Sequence, residues 1–248
     1  MQYRWDVTSR RQNKNSAFTL TELLVVTATV GILAALLLPA ISQSKKRAQQ
    51  IQCVSNLHQL GIGIQNFIAD NHAYPSFFEN TNKHNPVIWF VQLETGGLGF
   101  SKPPTNNWVE TGVWRCPSAQ WPHVSVRSPM SYGYNTDGMG DHTNALGLGG
   151  HFISYSKGFA PIGESEIVSP SEMMVIGDDF PGGVFFEREP RLADSKTAYS
   201  RHQGKANVVF CDDHVESPTL PFLFADTSDA ALSRWNRDHL PHREKLSP

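Results

Sequence analysis

A long apolar run near the N-terminus constrains this chain more than any other feature. It extends from Leu23 to Ser44 without a charged residue and ends at Lys45-Lys46-Arg47. A helix needs about 20 mostly apolar residues to cross the hydrocarbon core of a bilayer, so this run is long enough to span. One carboxylate, Glu22, directly precedes it. Because a carboxylate in hydrocarbon costs about 2.5 kcal/mol or more, Glu22 is expected to have a partner and a function.

The residues before the run form a short basic leader. It carries four basic residues and one acidic residue, and it ends at the small residue Ala17, which Phe18 follows. Together with Glu22 this order resembles the prepilin signal of type IV pilins and type II secretion pseudopilins, with Ala17 at the usual place of Gly. The resemblance implies that a prepilin peptidase/methyltransferase cleaves after Ala17 and methylates the new Phe18 amine.

The alternatives for this stretch are a secretory signal peptide and an ordinary signal anchor. A secretory signal has an apolar core of about 7 to 15 residues with its small cleavage residue after the core. Here the run is longer and Ala17 precedes it. An ordinary anchor gives no reason for Glu22 at this position. In a pilin-like filament, by contrast, Glu22 pairs with the Phe18 ammonium of a neighbouring subunit, so that each buried charge satisfies the other.

The helix is predicted to continue beyond the membrane. Apolar residues recur at three- and four-residue steps from Ala48 through Ile51 to Ile68, which is typical of an amphipathic helix. It should end near Asp70-Asn71, because the residue before Pro75 avoids helical angles. We therefore divide the chain into a leader (1–17), a transmembrane helix (18–44), an amphipathic extension (45–75) and an exported head (76–248).

The head is predicted to combine short strands with long loops. Nineteen Gly and sixteen Pro residues favour turns, and a net charge of -2 gives no basic surface for nucleic acid. The expected strands are Phe152–Tyr155, Met173–Gly177, Val184–Phe186 and Ala206–Cys211; residues 137–150 are expected to form a surface loop, and Ser228–Arg237 a short helix. The fold class is α+β, with a long N-terminal helix packed on a small antiparallel sheet, as in pilins.

A second motif lies near the C-terminus. His202 is separated by nine residues from Asp212-Asp213. This spacing resembles the processing-associated motif of many prepilin-type proteins, His, nine residues, Asp-Gly, with Asp213 in place of Gly. The segment is predicted to form a hairpin that turns at Asp212-Asp213. A type I′ turn requires positive φ at both central residues, which Gly adopts most easily, so Asp213 favours a strained turn or another turn type.

Two interpretations of this region stay open. His202, Asp212 and Asp178 are expected to converge on one edge of the sheet. They either serve as hydrogen-bonding parts of turns or hold a hard cation such as Ca²⁺, as related pseudopilins use calcium to order a loop. Catalysis is not expected, because no nucleophile elbow, Gly-rich phosphate loop or HExxH pattern is present. Six tryptophans leave open a sugar-binding face, although they more often anchor a core.

Three cysteines allow one disulfide and one free thiol. Cys53 lies on the exported part of the helix, and Cys116 ends a predicted strand that is expected to pack on it. An oxidising compartment favours a Cys53–Cys116 bridge, provided that their Cα atoms lie within about 7 Å. Cys211 would remain in the hairpin as a small apolar residue.

The resemblance implies a structural filament subunit rather than an enzyme. The leader would stay in the cytoplasm, the helix would cross the inner membrane once, and the head would be periplasmic. Its partners would be the prepilin peptidase/methyltransferase and other pilin-like subunits of a type II secretion or type IV pilus-like filament. The alternative is a membrane-anchored ligand-binding protein or hydrolase that uses the same kind of anchor.

Overall fold

The computed structural model describes residues 19–79, 87–99, 112–119, 130–154, 156–180 and 185–246. The chain divides into two compact units, residues 1–45 and 46–248. Helix α1, Leu20–Asn71, starts in the first unit and ends in the second. Its end agrees with the predicted stop at Asp70-Asn71. By length and composition, it is the one helix of the described part that is suited to cross a membrane.

The second unit contains eight short strands and three further helices among its described residues. The strands are β1 (Phe78–Glu79), β2 (Val87–Ile88), β3 (Tyr132–Tyr134), β4 (His151–Ser154), β5 (Gly158–Ala160), β6 (Met174–Asp178), β7 (Val208–Phe210) and β8 (Val215–Glu216). The helices are α2 (Trp89–Gly96), α3 (Lys196–His202) and α4 (Asp229–Leu232). Single 3₁₀ turns form at Gly112–Trp114, Glu164–Glu166, Pro190–Leu192, Ser233–Trp235 and Arg243–Lys245, and a π turn at Pro221–Ala225.

The strands form two antiparallel sheets, with the orders β2-β1-β5-β4 and β3-β6-β7-β8. The second sheet pairs two of the predicted strands, β6 and β7, and β8 is the return strand of the predicted hairpin. The strand predicted at Phe152–Tyr155 corresponds to β4 and lies in the first sheet. A long N-terminal helix with small antiparallel sheets confirms the α+β, pilin-like fold class. The single sheet expected from the sequence is in fact two.

Two apolar clusters lie on either side of the β6–β7 pair. On one side are Leu57, Leu60 and Ile64 of α1. On the other are Met174, Phe224 and Trp235, among other side chains. Within β7, Val209 belongs to the first cluster, whereas Val208 and Phe210 belong to the second. This alternation follows from the two-residue period of a strand, and it places β7 between α1 and the C-terminal segment.

Several local expectations differ from the structure. Cys116 does not end a strand, because Gly112–Trp114 is a 3₁₀ turn that begins at a φ of +71°. Ile51 is 69% exposed and not part of the apolar face that α1 buries. Residues 147–150 of the expected surface loop are buried, and Leu148 donates a backbone hydrogen bond to the buried residue Asn135.

The other predicted strands and helices can be compared with the structure only where their residues are described. Tyr155 and Val184 lie outside the described residues, and Phe185 forms one parallel bridge with Tyr134 instead of a strand. The short C-terminal helix is confirmed by α4 and the turn that follows it. Helix α3 was not predicted.

Candidate functional site

The start of α1 is closed by three hydrogen bonds between Thr19 and Glu22. Glu22 Oε2 accepts from the backbone nitrogen of Thr19 at 2.9 Å and from its hydroxyl at 2.7 Å. The Thr19 hydroxyl in turn accepts from the Glu22 nitrogen at 3.3 Å. This is a capping box, in which the side chains three residues apart satisfy each other's backbone donors. Ala17 and Phe18, the predicted processing residues, lie outside the described residues.

A second candidate site is a buried ionic cluster at the end of β6, made of Asp178, Arg201 and His202. All three side chains are at most 5% exposed. Arg201 Nη2 donates to Asp178 Oδ1 at 2.7 Å, and the Asn207 backbone nitrogen donates to Oδ2 at 2.7 Å. His202 Nε2 lies 3.2 Å from the same Oδ2. The structure therefore brings the predicted residues His202 and Asp178 into direct contact.

The Arg201 guanidinium is also held by neutral partners. It donates to the backbone oxygens of Asp179 and Ser131 at 2.7 Å each, and it lies 5.3 Å from the centroid of the Phe180 ring. A buried charge is tolerated when it is both paired and hydrogen-bonded, which this geometry provides. The ion pair with Asp178 ties α3 to β6, and the hydrogen bond to Ser131 ties α3 to the segment before β3.

The cluster keeps Asp178 ionised. Burial alone would raise the pKa of this carboxyl, but the Arg201 charge and the hydrogen bonds from His202 and Asn207 outweigh burial and lower its pKa below the ordinary value. Because an ionised carboxylate only accepts hydrogen bonds, His202 carries its proton on Nε2. His202 Nδ1 is buried and has no hydrogen-bond partner in the described part of the chain.

Helix α3 positions Arg201 and His202. It begins at Ser195, whose side chain accepts from the Ala198 nitrogen at 3.3 Å, and it ends at Gln203, which has a left-handed backbone. Gly204 follows with a φ of +83° and donates to Tyr199 O at 2.9 Å. Such a left-handed C-terminal cap is a common way to end a helix. Sequence reasoning missed Arg201, although the spacing of Ser195 and Gly204 is a signal for a short helix.

A disulfide lies directly beside His202. Cys53 on α1 and Cys116 are bridged, with their Cα atoms 5.0 Å apart. His202 Nε2 lies 3.3 Å from Cys116 Sγ. Cys211 is free and buried, as its predicted role as a small apolar residue requires. Burial raises the pKa of the Cys211 thiol to about 12, so it stays protonated and unreactive.

Asp212 does not join this cluster. Its carboxylate contacts the Nδ1 atom of His214 at the exposed hairpin turn. The positive charge next to Asp178 is the Arg201 guanidinium, which takes the place that the sequence analysis gave to calcium. With both Asp178 oxygens engaged by nitrogen donors, the three predicted residues do not form an oxygen-rich site of the kind that Ca²⁺ prefers.

The hairpin turn packs on α1 instead. Asp213 has a φ of +74° and donates its backbone N–H to Phe210 O, while Phe210 donates to His214 O. This is a turn followed by one left-handed residue, so positive φ is needed at Asp213 alone rather than at two positions. Gly61 of α1 faces this turn, and a Cβ at Gly61 would lie 2.0 Å from Asp213 Oδ1. Gln65 Nε2 donates to Cys211 O at 2.6 Å.

A cleft of about 640 Å³ opens elsewhere on the head, between the 137–142 loop and the segments around Arg188 and Lys245. Asp137 contacts His142 at 2.8 Å, yet burial raises the pKa of Asp137. Partial burial and the neighbouring Asp137 charge also raise the pKa of Glu187, which lines the same cleft. Carboxyls with raised pKa values in a cleft are typical of binding sites as well as of crowded surfaces.

Similarity to known proteins points to pilins and pseudopilins. No protein-family model matches the chain, and no solved structure matches it. Over 67 residues the chain is 34% identical to the type II secretion system core protein G of Escherichia coli (strain K12). This alignment covers 27% of this chain and 46% of that protein. It is 35% identical over 69 residues to the type IV major pilin protein PilA of Myxococcus xanthus (strain DK1622), covering 28% and 31%.

A longer match has lower identity. The chain is 26% identical over 144 residues to the type II secretion system core protein G of Dickeya chrysanthemi, covering 55% of this chain and 87% of that protein. In the two shorter matches the chain spans less than half the length of its curated relatives. The chain is therefore similar to type II secretion pseudopilins and type IV pilins, over part of its length.

Proposed function

We propose that this chain is a pilin-like structural subunit of a type II secretion or type IV pilus-like filament. The observation that carries the proposal is the first half of α1, whose apolar side chains are exposed from Leu20 (80%) to Ile41 (61%) and which has Glu22 in its first turn. An apolar surface of this length requires lipid or other helices around it. The similarity to pseudopilins and a type IV pilin supports the second option.

The exposed apolar surface continues beyond the membrane-spanning part. Ile51 is 69% and Ile62 44% exposed. These residues are eleven positions apart, which is about three helical turns, so they lie on one face of α1. That face is exposed, whereas Leu57 and Ile64 on another face of α1 are buried in the head. Its role in our proposal is to contact neighbouring subunit helices.

Processing follows the prepilin scheme in this proposal. Residues 1–17 are the leader, 18–44 the transmembrane helix, 45–75 its extension and 76–248 the head. A prepilin peptidase/methyltransferase cleaves after Ala17 and methylates Phe18, in the inner membrane with the leader cytoplasmic and the head periplasmic. In the filament, Glu22 of one subunit then pairs with the Phe18 ammonium of a neighbouring subunit instead of with its own Thr19. An ion pair between subunits thereby replaces the capping box within one chain.

The spacing of the C-terminal motif has a structural role in this proposal. Its first residue, His202, contacts the Cys116 end of the bridge to Cys53, and its last, Asp213, packs against Gly61. Cys53 and Gly61 lie eight residues apart on α1, about two turns. In our proposal the motif thus joins the head to this part of α1 at two points.

Cleavage at residue 17 tests the proposal. Ala17→Leu is expected to block processing, because a prepilin signal needs a small residue there, and to leave the chain in the membrane but absent from filaments. Ala34→Leu, an equal change inside the apolar run, is the matched control and should be processed normally. Filaments that incorporate unprocessed Ala17→Leu chains at the level of Ala34→Leu chains would refute the proposal.

The cleft beside Asp137 supports a second candidate, a membrane-anchored head that binds a ligand. Its mixed lining of Asp137, His142 and Lys245 suits a polar ligand, and its size fits a small molecule. The two candidates differ in their need for assembly. If Asp137→Asn removes the biological activity while filaments form normally, the second candidate is favoured.

A further inference from the structure

We propose that the chain binds one Zn²⁺ in its reduced state, through Cys53, Cys116 and His202. This proposal is independent of the filament role. It starts from the proximity of three metal-binding side chains, all buried, whose ligand atoms lie within 4.8 Å of one another. Two thiolates and one imidazole are the ligands that zinc prefers in proteins.

The distance between Cys116 and His202 fits tetrahedral coordination. With Zn–S bonds of about 2.3 Å and Zn–N bonds of about 2.0–2.1 Å, a sulfur and a nitrogen bound to one zinc lie about 3.5 Å apart. Cys116 Sγ and His202 Nε2 are 3.3 Å apart. The two sulfurs would need to separate to about 3.8 Å, which reduction of the bridge allows.

Water takes the fourth position on the metal in this proposal, because Asp178 is not among the side chains whose ligand atoms lie within 4.8 Å of one another. The charges also balance in a buried site. Two thiolates neutralise Zn²⁺, and Asp178 and Arg201 neutralise each other as they do when the disulfide is present.

The two states exclude each other chemically. A phosphine reductant and one water convert the disulfide into two thiols and a phosphine oxide. Zn²⁺ then displaces the two thiol protons, and the His202 proton moves from Nε2 to Nδ1, the atom without a hydrogen-bond partner among the described residues. The oxidised chain offers no thiolate at these positions, because both sulfurs are in the disulfide, so it lacks both sulfur ligands. Zinc therefore takes over the link between α1 and the head whenever the bridge is open.

The test uses the purified full chain in detergent micelles, reduced with a phosphine under argon and titrated with Zn²⁺ or Co²⁺. We expect one metal per reduced chain, a thiolate-to-cobalt charge-transfer band and protection of the Cys53 and Cys116 thiols from alkylation. The oxidised chain should bind neither ion, and Ca²⁺ should produce no change in either state. A reduced chain that retains no zinc after gel filtration would overturn the proposal.

Variants separate the site from adventitious binding. His202→Ala is expected to lower zinc affinity by about tenfold or more, whereas Cys211→Ala, which removes the third thiol, should bind as the unaltered chain does. The melting temperature of the oxidised His202→Ala chain shows whether it is folded. Equal affinities for His202→Ala and the unaltered chain, or equal losses in His202→Ala and Cys211→Ala, would contradict the assignment.

Discussion

The two halves of α1 have the same backbone conformation and opposite surroundings. In the first half, Leu20 and Leu36 are 80% and 69% exposed. In the second half, Leu57 and Leu60 are fully buried among the side chains of the head. Since apolar burial provides most of the stability of a folded chain, the second half is stabilised within its own chain and the first requires lipid or other helices. In our proposal one helix therefore serves both the folding and the assembly of this protein, in separate segments.

The largest effect is expected at Glu22, in the first half. Glu22→Ala should leave membrane insertion intact, because it removes a polar group from an apolar helix, and should abolish filament incorporation. Glu22→Gln distinguishes the two roles of this side chain. Glutamine also completes a capping box, so the variant should still cap the helix but fail to assemble if the ionic partner matters. The amount of the chain in total membranes measures insertion, and its amount in sheared filaments measures incorporation. Normal incorporation of Glu22→Gln would refute the pairing role.

The second-largest effect is expected in the buried cluster. Asp178→Asn leaves the Arg201 guanidinium buried without its counter-charge, which is expected to cost about 3–5 kcal/mol of unfolding free energy. The pKa of Asp178 is lower in the folded chain than in the unfolded chain. Its stabilisation of the fold is therefore fully present above the pKa of the unfolded state and is lost as the pH falls through the pKa of the folded state.

The pH dependence checks this assignment. Melting temperatures followed by near-UV circular dichroism should fall more steeply below about pH 4 in the unaltered chain than in Asp178→Asn. Parallel pH profiles for the two proteins would show that this carboxyl does not stabilise the fold through its charge.

The disulfide is expected to contribute about 4 kcal/mol, because the bridge closes a loop with a sequence separation of 63. The double variant Cys53→Ser/Cys116→Ser should melt correspondingly earlier than the oxidised unaltered chain. Cys211→Ser, a change of the same chemistry at the free thiol, is the comparison. Peptide mapping without reductant should recover a Cys53–Cys116 peptide, and recovery of a bridge to Cys211 would overturn this pairing.

A smaller effect contrasts the two halves of α1 directly. Leu57→Ala removes a buried side chain and is expected to cost about 3 kcal/mol in melting of the head. Leu36→Ala makes the same substitution on an exposed position and should leave the melting of the head unchanged. If both variants have the same melting temperature, the second half of α1 does not stabilise the head more than the first half does, which contradicts the proposed division.

The sequence predicts α1 well because local patterns determine it. The apolar run, the three- and four-residue steps and the Tyr74-Pro75 pair set both its extent and its end, and the structure ends α1 at Asn71. The strands β6 and β7 were also predictable, since each is a short apolar run between turn residues.

The candidate site was only partly predictable, because it depends on contacts between distant segments. His202 and Asp178 were expected to meet and do so, but Arg201 joins them from α3, a helix that was not predicted. The prediction for Asp212 rested on the spacing of its motif alone, and in the fold Asp212 contacts His214 instead. The two-sheet arrangement likewise follows from pairings, such as that of Glu79 with Gly158, that no local pattern encodes.

The central claim is that this chain is a processed subunit of a filament. The most direct measurement is mass spectrometry of the intact chain from purified secretion or pilus filaments of the source cell. Our account predicts that the filaments contain this chain and that it begins at N-methylated Phe18. Filaments that lack the chain, or a mature chain that still begins at Met1 or begins after Pro39, would contradict it.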